Sequence, residues 1–181
     1  MTIKTENQIF KDFIILTKAA FTKFSIEGWE VKRLYQFAKS LDLKPAVLLE
    51  KRNDHQPSTL YRGNTIVNNA GVKAYRVQNE VTMRFMATKR QSNNETVNTL
   101  SSRDILKYLI KYQKGNAGIA LLKSLGYAQY KTTDIQPQSF TNDDENIQML
   151  PFFECTYLYT DEWTDSVDRI EKVIYKGIYK I

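Results

Sequence analysis

The feature that most constrains the fold is a long stretch of alternating side chains near the middle of the chain, at residues 75–87. Apolar side chains occupy its odd positions (Tyr75, Val77, Val81, Met83, Phe85 and Ala87), and polar side chains occupy most of its even positions (Arg76, Gln78, Glu80, Thr82 and Arg84). Successive side chains of a β-strand point to opposite faces of a sheet, so this pattern predicts a strand with one buried and one polar face. Asn79 is the one polar residue on the apolar face. Because strands usually have about 5–6 residues, we expect this one to project beyond the core or to bend at a bulge.

Patterns on both sides of this strand predict more strands and the helices that cover them. Apolar residues recur every three or four positions over 5–24, where Thr5 and Gln8 fit a capping box, and again over 101–112 after Ser101. A further helix is predicted at 117–125, with Gly115 and Gly118 interrupting the helical region and Gly126 ending it. Strands are predicted at 29–35, 46–49, 60–67, 127–132 and 152–160.

The expected architecture is a single α+β domain over residues 1–181, with a mainly antiparallel, twisted sheet and helices packed on one of its faces. A chain of 181 residues fits one domain. Its core is expected at about 27–160, with an N-terminal helix at 5–24 and a C-terminal tail at 161–181. The predicted core residues include Phe13, Phe21, Val81, Phe85, Leu109 and Tyr157.

Charge is distributed unevenly along the chain, although the net charge is only +6. Residues 1–60 carry +3, residues 61–131 carry +9 and residues 132–181 carry −6. This distribution is compatible with a solvated surface, with a nucleic-acid face, or with head-to-tail assembly of a basic region on an acidic one, since complementary charges fix the orientation of association. For assembly, the candidate interface residues are basic (Arg76, Arg84 and Lys89), acidic (Asp143, Asp144 and Glu145) and apolar (Ile170, Ile174 and Tyr175).

Nucleic-acid binding has weaker support than assembly. The basic side chains available for it are Arg76, Arg84, Lys89 and Arg90, but no run of Lys or Arg is longer than two. Aromatic rings for base stacking would come from Tyr75 or Phe85, which lie on the opposite, apolar face of the same predicted strand.

No arrangement of residues points to catalysis. His55 is the only histidine and lies in a polar turn, and Cys155 is the only cysteine and lies between Phe153 and Tyr157 on an apolar face. The acidic run 143–145 is more typical of a solvated loop than of a cation site. Because catalysis needs a nucleophile, base or metal held among partners, we expect no enzyme, no cofactor and no metal.

The chain also offers no sign of a membrane segment. Its first seven residues are polar and lack the basic start and apolar run of a signal peptide, and no stretch of about 18 apolar residues exists. The single cysteine suits a reducing compartment. We therefore expect no membrane contact.

Six segments together resemble the neck or tail terminator proteins of tailed bacteriophages. These are EGWEVKRLYQ (27–36), KPAV (44–47), SRDIL (102–106), LGYAQY (125–130), FTND (140–143) and LPFFECTY (150–157). The resemblance covers roughly residues 27–160 and consists of structural motifs rather than catalytic ones.

This resemblance implies a structural virion protein of the tail or neck, assembled in the host cytoplasm. Such proteins form a ring, usually a hexamer, on the last ring of tail-tube subunits. The ring stops tube growth and presents a surface to the head-side connector or stopper protein, while DNA passes through it only as cargo. The alternatives are another head–tail connector or tail-completion protein, then a nucleic-acid-binding module, and last a hydrolase.

Overall fold

The alternating stretch forms the long central strand of a seven-stranded sheet. The computed structural model describes residues 3–34, 45–55, 66–67, 72–89, 100–141 and 147–166. In that part of the chain the elements are α1 (Glu6–Lys23), β1 (Glu30–Arg33), β2 (Ala46–His55), β3 (Ile66–Val67), β4 (Val72–Thr88), α2 (Ser102–Lys114), α3 (Asn116–Ser124), β5 (Tyr127–Thr132), β6 (Gln136–Thr141) and β7 (Ile147–Ser166). The sheet order is β1-β2-β4-β7-β5, with β3 paired to β4 and β6 paired to β7. All pairings are antiparallel except β1 with β2, so the predicted α+β class is confirmed.

The predicted alternation of β4 is confirmed on its apolar face and partly wrong on its polar face. Val81, Met83 and Phe85 are fully buried beneath the helices. Met86, at an even position, is also fully buried and packs with Ala46 in a small cluster on the opposite face of the sheet. The expected irregularity lies in the partner strand, where the register of β2 against β4 shifts between Lys51 and Asn53.

Helix α1 is shorter than predicted by one residue at each end. The Thr5 hydroxyl accepts a hydrogen bond from the Gln8 backbone N–H at 3.2 Å, as expected of an N-cap. The Gln8 side chain does not complete the capping box, because its amide donates to Asp12 Oδ1 at 2.8 Å. In α2, the Ser101 hydroxyl accepts from the Asp104 backbone N–H at 3.2 Å, and the cap is as predicted.

The β-strands near the C-terminus are longer and more numerous than predicted. Strand β5 has the predicted bounds, but β7 has 20 residues and extends at both ends beyond the expected 152–160. Strand β6 was missed, because its sequence QPQSFT contains a proline and lacks apolar alternation. The end of β7 at Ser166 places a strand inside the segment expected as a tail, whose residues 167–181 lie outside the described part.

The core lies between one face of the sheet and the three helices, as predicted. Phe13 of α1 contacts Phe85 edge-on with ring centroids 6.2 Å apart and Tyr157 at 4.6 Å. Phe85 stacks on Phe153 at 4.8 Å. All six predicted core residues are at most 7% exposed. In the described part of the chain, every helix is too short or too polar to span a bilayer.

Candidate assembly surfaces

Both ends of β7 extend past the strands that flank its middle. On one side β7 pairs with β4 from Phe152 to Ser166. On the other side it pairs with β6 over 147–152 and with β5 over 155–159. Strand β2 lies on the other side of β4, and its pairing with β4 ends at Glu80.

Two projecting arms follow from this pairing. The long arm consists of residues 72–79 of β4, residues 160–166 of β7 and β3; the short arm consists of β6 and residues 147–151 of β7. At about 3.3 Å per residue, the seven residues 160–166 reach roughly 20 Å from the body of the sheet. Among the described residues, β4 therefore projects beyond its pairing with β2 as predicted, and the sequence did not show that β7 projects with it.

A polar network holds the base of the long arm against the N-terminal segment. Asn79 Nδ2 donates to Asp161 Oδ2 at 2.6 Å, which explains why an amide lies on the apolar face of β4. The Lys4 backbone N–H donates to Asp161 Oδ1 at 2.9 Å. The Lys4 ammonium reaches Asp12 Oδ2 at 2.7 Å and the Leu125 carbonyl at 2.7 Å. One lysine thus joins α1, the end of α3 and the arm.

Tyr127 completes this network. Its hydroxyl donates to Asp12 Oδ2 at 3.1 Å, and the Lys4 ammonium lies 4.2 Å from the centre of its ring. Burial and the neighbouring Asp12 carboxylate raise the pKa of Tyr127 far above its usual value, so the hydroxyl keeps its proton and stays a donor. The Asp12 side chain is only 3% exposed, and its carboxylate therefore has a cation in Lys4 and a hydrogen-bond donor in Tyr127.

Replacing Lys4 with methionine is expected to lower the free energy of unfolding by about 2–3 kcal/mol, because the buried Asp12 carboxylate loses its cation. The effect should fall below the ~3–5 kcal/mol of a fully buried pair, since the Lys4 side chain is 18% exposed. Urea unfolding at neutral pH measures the change. Lys11→Met, the same substitution at an exposed position of α1, is the matched control. Equal unfolding midpoints for the two variants would contradict the assignment of this ion pair.

Among the predicted interface residues, Arg84 has its charge neutralised within the chain. Its guanidinium donates to Glu154 Oε1 from Nε at 2.9 Å and from Nη2 at 2.7 Å, and Nη1 lies 3.4 Å from Glu50 Oε2. It also stacks 4.4 Å from the centre of the Phe152 ring. The Arg84 side chain is only 12% exposed. Phe85 is fully buried, so neither Arg84 nor Phe85 is placed to bind nucleic acid.

The other predicted interface residues are not brought together by the described structure. Lys89 is half-buried just after the end of β4, and Arg76 pairs through its backbone with Glu162 in the long arm. Asp143, Asp144, Glu145, Ile170, Ile174 and Tyr175 lie outside the described residues. The predicted contact between basic and acidic regions therefore stays a prediction.

A groove lies beside β5, the terminal strand of the sheet within the described residues, and sequence reasoning did not predict it. The groove has a volume of about 530 Å³ and runs between β5 and α3. Lys114, Lys123 and Lys131 line it together with the exposed side chains of Ile119 and Tyr130. The signal in the sequence is the poor alternation of YAQYKT in β5, of which the first residue, Tyr127, is the buried one.

Cys155 is placed as a core residue rather than a nucleophile. Its side chain is fully buried, and its sulfur lies 3.1 Å from Gln129 Nε2 and 3.3 Å from the Thr132 hydroxyl. Burial raises the pKa of the Cys155 thiol, which disfavours the reactive thiolate. His55 ends β2, and its side chain is outside the described part.

Comparisons with known proteins point to one family. The family model described as E217 gateway protein gp29 matches residues 16–169 of this chain. Among solved structures, the sheath/tube terminator of PVC, an extracellular contractile injection system, in its extended state aligns with a TM-score of 0.53 at 9% identity. The alignment covers 100% of this chain and 65% of that one, so the present chain spans less than two thirds of the terminator's length. This likeness concerns the fold.

No curated protein matches the sequence. The family match covers most of the chain, including all three helices in part or whole and β1 to β7. It agrees with the resemblance of the six sequence segments to phage neck and tail terminator proteins. The chain therefore belongs to the family of the phage gateway protein gp29 of E217, and it is a structural protein of the tail or neck of the virion.

Proposed function

We propose that this protein caps the tail tube at the neck as a ring, usually of six copies in proteins of this kind. One face of the ring would contact the last ring of tail-tube subunits and stop tube growth, and the other would contact the head-side connector or stopper. DNA would pass through the ring only as cargo. The family membership and the fold shared with a protein named a sheath/tube terminator support this proposal.

The observation that carries the proposal is the extension of β7 into two arms at opposite ends of one sheet. Exposed strand edges favour pairing with other chains and are normally protected. Here, within the described residues, 160–166 of β7 pair with β4 alone and β6 pairs with β7 alone. Arms with open edges are suited to contacts between subunits, and contacts between two different surfaces close into rings when the rotation allows.

The charge distribution supports contact between unlike surfaces. Residues 61–131 carry +9 and residues 132–181 carry −6. Exposed ion pairs contribute only about 0–1 kcal/mol each and are screened by salt. Charge would therefore set the orientation of neighbouring subunits, while strand pairing and apolar contacts hold them together.

We propose no catalytic step for this protein. The one cysteine is buried with a raised thiol pKa, and within the described residues no group of three His, Cys, Asp or Glu side chains is placed to hold a metal ion. The family match is to a structural protein, in agreement with a role in assembly alone.

A phage with a stop codon early in this gene is expected to produce tail tubes of uncontrolled length, because nothing would end tube growth. Electron microscopy of infected-cell lysates measures the length distribution and the fraction of tails joined to heads. Supplying the wild-type protein from a plasmid should restore both, whereas an Asp161→Ala variant, which loses the contacts to Asn79 and to the Lys4 backbone, tests whether the anchored arm is needed.

Two other outcomes would contradict the capping role. Tails of normal length that fail to join heads would favour a connector or completion protein. Normal tails joined to filled heads would show that the protein has no role in tail assembly. Purified protein added to growing tubes should cap their ends as a visible ring, and free tube ends at saturating protein would speak against a terminator.

A further inference from the structure

The outer side of α2 carries a continuous basic stripe. The exposed positions of this helix are Arg103, Lys107, Lys111 and Lys114, so every one of them is basic. At 3.6 residues per turn, these positions lie within about 80° of one another around the helix axis. Because they are three or four positions apart, the stripe forms no run of Lys or Arg in the sequence.

The neighbouring helices extend this basic surface. The exposed positions of α1 include Lys11, Lys18 and Lys23, and those of α3 include Lys123. Over all three helices eight exposed positions are basic, and only Glu6, at the start of α1, is acidic. The helices cover the same face of the sheet, so the eight side chains belong to the outer surface of one layer, which we call the basic layer.

Most charges of the basic layer are not neutralised within the chain. Among the eight, and within the described residues, Lys107 alone has an ion-pair partner: its ammonium lies 3.2 Å from Asp104 Oδ1. Both side chains of this pair are exposed, so it contributes little. On the opposite face of the sheet, by contrast, Arg84 is held by Glu154 at 2.7 Å. The basic layer is therefore a surface of unbalanced positive charge, suited to an anionic partner.

The composition of the basic layer favours DNA over protein as that partner. Protein interfaces are enriched in aromatic residues and Met and depleted in Lys. Seven of the eight basic residues are lysines, and within the described residues no helix exposes an aromatic side chain. Lys and Arg side chains supply contacts to phosphates, whereas binding of single strands also uses aromatic rings for stacking. The backbone of duplex DNA is therefore the partner that this chemistry fits.

The dimensions of α2 also suit a duplex. A rise of 1.5 Å per residue places Arg103 and Lys114 about 16 Å apart along the helix axis. Duplex DNA carries one negative charge per about 1.7 Å of its length, so roughly ten phosphates lie along the same distance. A phosphate is therefore within reach of each of the four cations of the stripe.

We propose that the basic layer binds the phosphate backbone of duplex DNA without regard to sequence. In the ring of the proposed function, on which this second part of the inference rests, the basic layer faces the DNA that passes through. Phosphate contacts carry no sequence information, as a site on moving DNA of any sequence requires. They weaken steeply as salt rises, because the protein competes with the counterions of the DNA.

Fluorescence anisotropy with a labelled duplex of about 30 base pairs and mixed sequence measures this binding at about 50–200 mM salt. Each phosphate contact contributes about 0.9 to the slope of log affinity against log salt. Lys111→Gln should therefore reduce the slope by about one, and Arg103→Gln/Lys111→Gln by about two, with at least about tenfold weaker binding at ~100 mM salt. Lys131→Gln is the matched control: it removes the same charge at an exposed position of β5, outside the helices, and should leave the slope unchanged.

Two results of this experiment would overturn the inference. Equal losses of affinity in Lys111→Gln and Lys131→Gln would show that the net charge of the protein attracts DNA without a site. Polyglutamate that binds as tightly as the duplex would assign the basic layer to an acidic protein partner. Because Arg103, Lys111 and Lys131 are exposed, all variants should unfold at the urea concentration of the wild type, so a loss of binding reports on the contact itself.

Photo-cross-linking in assembled particles tests the orientation of the basic layer in the ring. A phage lacking this gene is supplied with protein that carries benzoylphenylalanine in place of Lys111, and irradiation of the filled virions should join this protein to DNA. Benzoylphenylalanine in place of Tyr130, an exposed residue of β5, is the control and should give much less DNA-bound protein. Cross-links from position 111 to virion proteins alone would contradict the proposed orientation.

Failure of this inference can be told apart from failure of the proposed function. Tubes capped by a protein that does not bind the duplex would leave the capping role standing and overturn the inference. Duplex binding that depends on Lys111, in a protein that leaves tube ends free, would retain the binding site and overturn the capping role together with the orientation in the ring.

Discussion

Replacing Phe85 with alanine is expected to lower the free energy of unfolding by about 3–5 kcal/mol, the usual cost of truncating a buried aromatic side chain. Phe85 is fully buried, stacks on Phe153 with an interplanar angle of 6°, and meets the edge of the Phe13 ring. It therefore joins the two central strands to α1. The loss includes the aromatic pair energies as well as the transfer of the ring from water.

Urea unfolding followed by fluorescence or circular dichroism measures this change. Gln78→Ala, in the same strand but on the opposite face and only partly buried, is the control and should shift the free energy by about 1 kcal/mol or less. An unfolding midpoint that does not move for Phe85→Ala would mean that the two faces of β4 are assigned the wrong way round.

The faces of β4 could be predicted because the pattern that defines them is local to the strand. Val81, Met83 and Phe85 alternate with polar residues, and period-two alternation has a direct meaning for a strand with one covered face. The same reasoning failed at Met86, which is buried on the other face beside Leu48. Alternation cannot show that a limited part of the second face is also covered.

Features that depend on residues far apart in sequence were not predictable. Asp12 lies on a helix of mostly apolar spacing, and its burial is explained only by Lys4 and by Tyr127, 115 positions later in the chain. Similarly, the long arm was inferred from β4 alone, since the eleven residues that β7 adds to the expected strand include polar, acidic positions.

The candidate interface shows the same limit. Arg84 was assigned to an interface because residues 61–131 are strongly basic, but its carboxylate partner Glu154 is 70 positions away. Charge counted along the chain does not reveal pairs within the fold. The lysines around the β5 groove were not singled out, because Lys114, Lys123 and Lys131 lie on three different elements that only the fold brings together.

Replacing Gly118 with alanine is expected to destabilise the protein severely, by more than the ~1–3 kcal/mol typical of an overpacked core. A Cβ atom at this position would overlap the Tyr112 carbonyl oxygen and would lie 2.9 Å from Gln113 Cα. These are backbone atoms of α2, so no side-chain rotation relieves the clash, and α3 must move away from α2. Alanine otherwise favours a helix over glycine by about 1 kcal/mol, so the sign of the effect is decided by the close approach.

The displacement would also disturb the centre of the core. Gln113 is buried and accepts a hydrogen bond from the Tyr157 hydroxyl at 2.7 Å, and a shift of α2 would leave that hydroxyl without its partner. Gly115→Ala is the matched control: its Cβ would lie 3.3 Å from the Lys111 carbonyl oxygen at a backbone φ of −83°, which alanine adopts freely. We expect the free energy of unfolding of the control to lie within about 1 kcal/mol of the wild-type value. Gly118→Ala should lose the cooperative unfolding transition or unfold at a much lower denaturant concentration. A Gly118→Ala protein as stable as the Gly115→Ala control would show that α2 and α3 do not approach this closely.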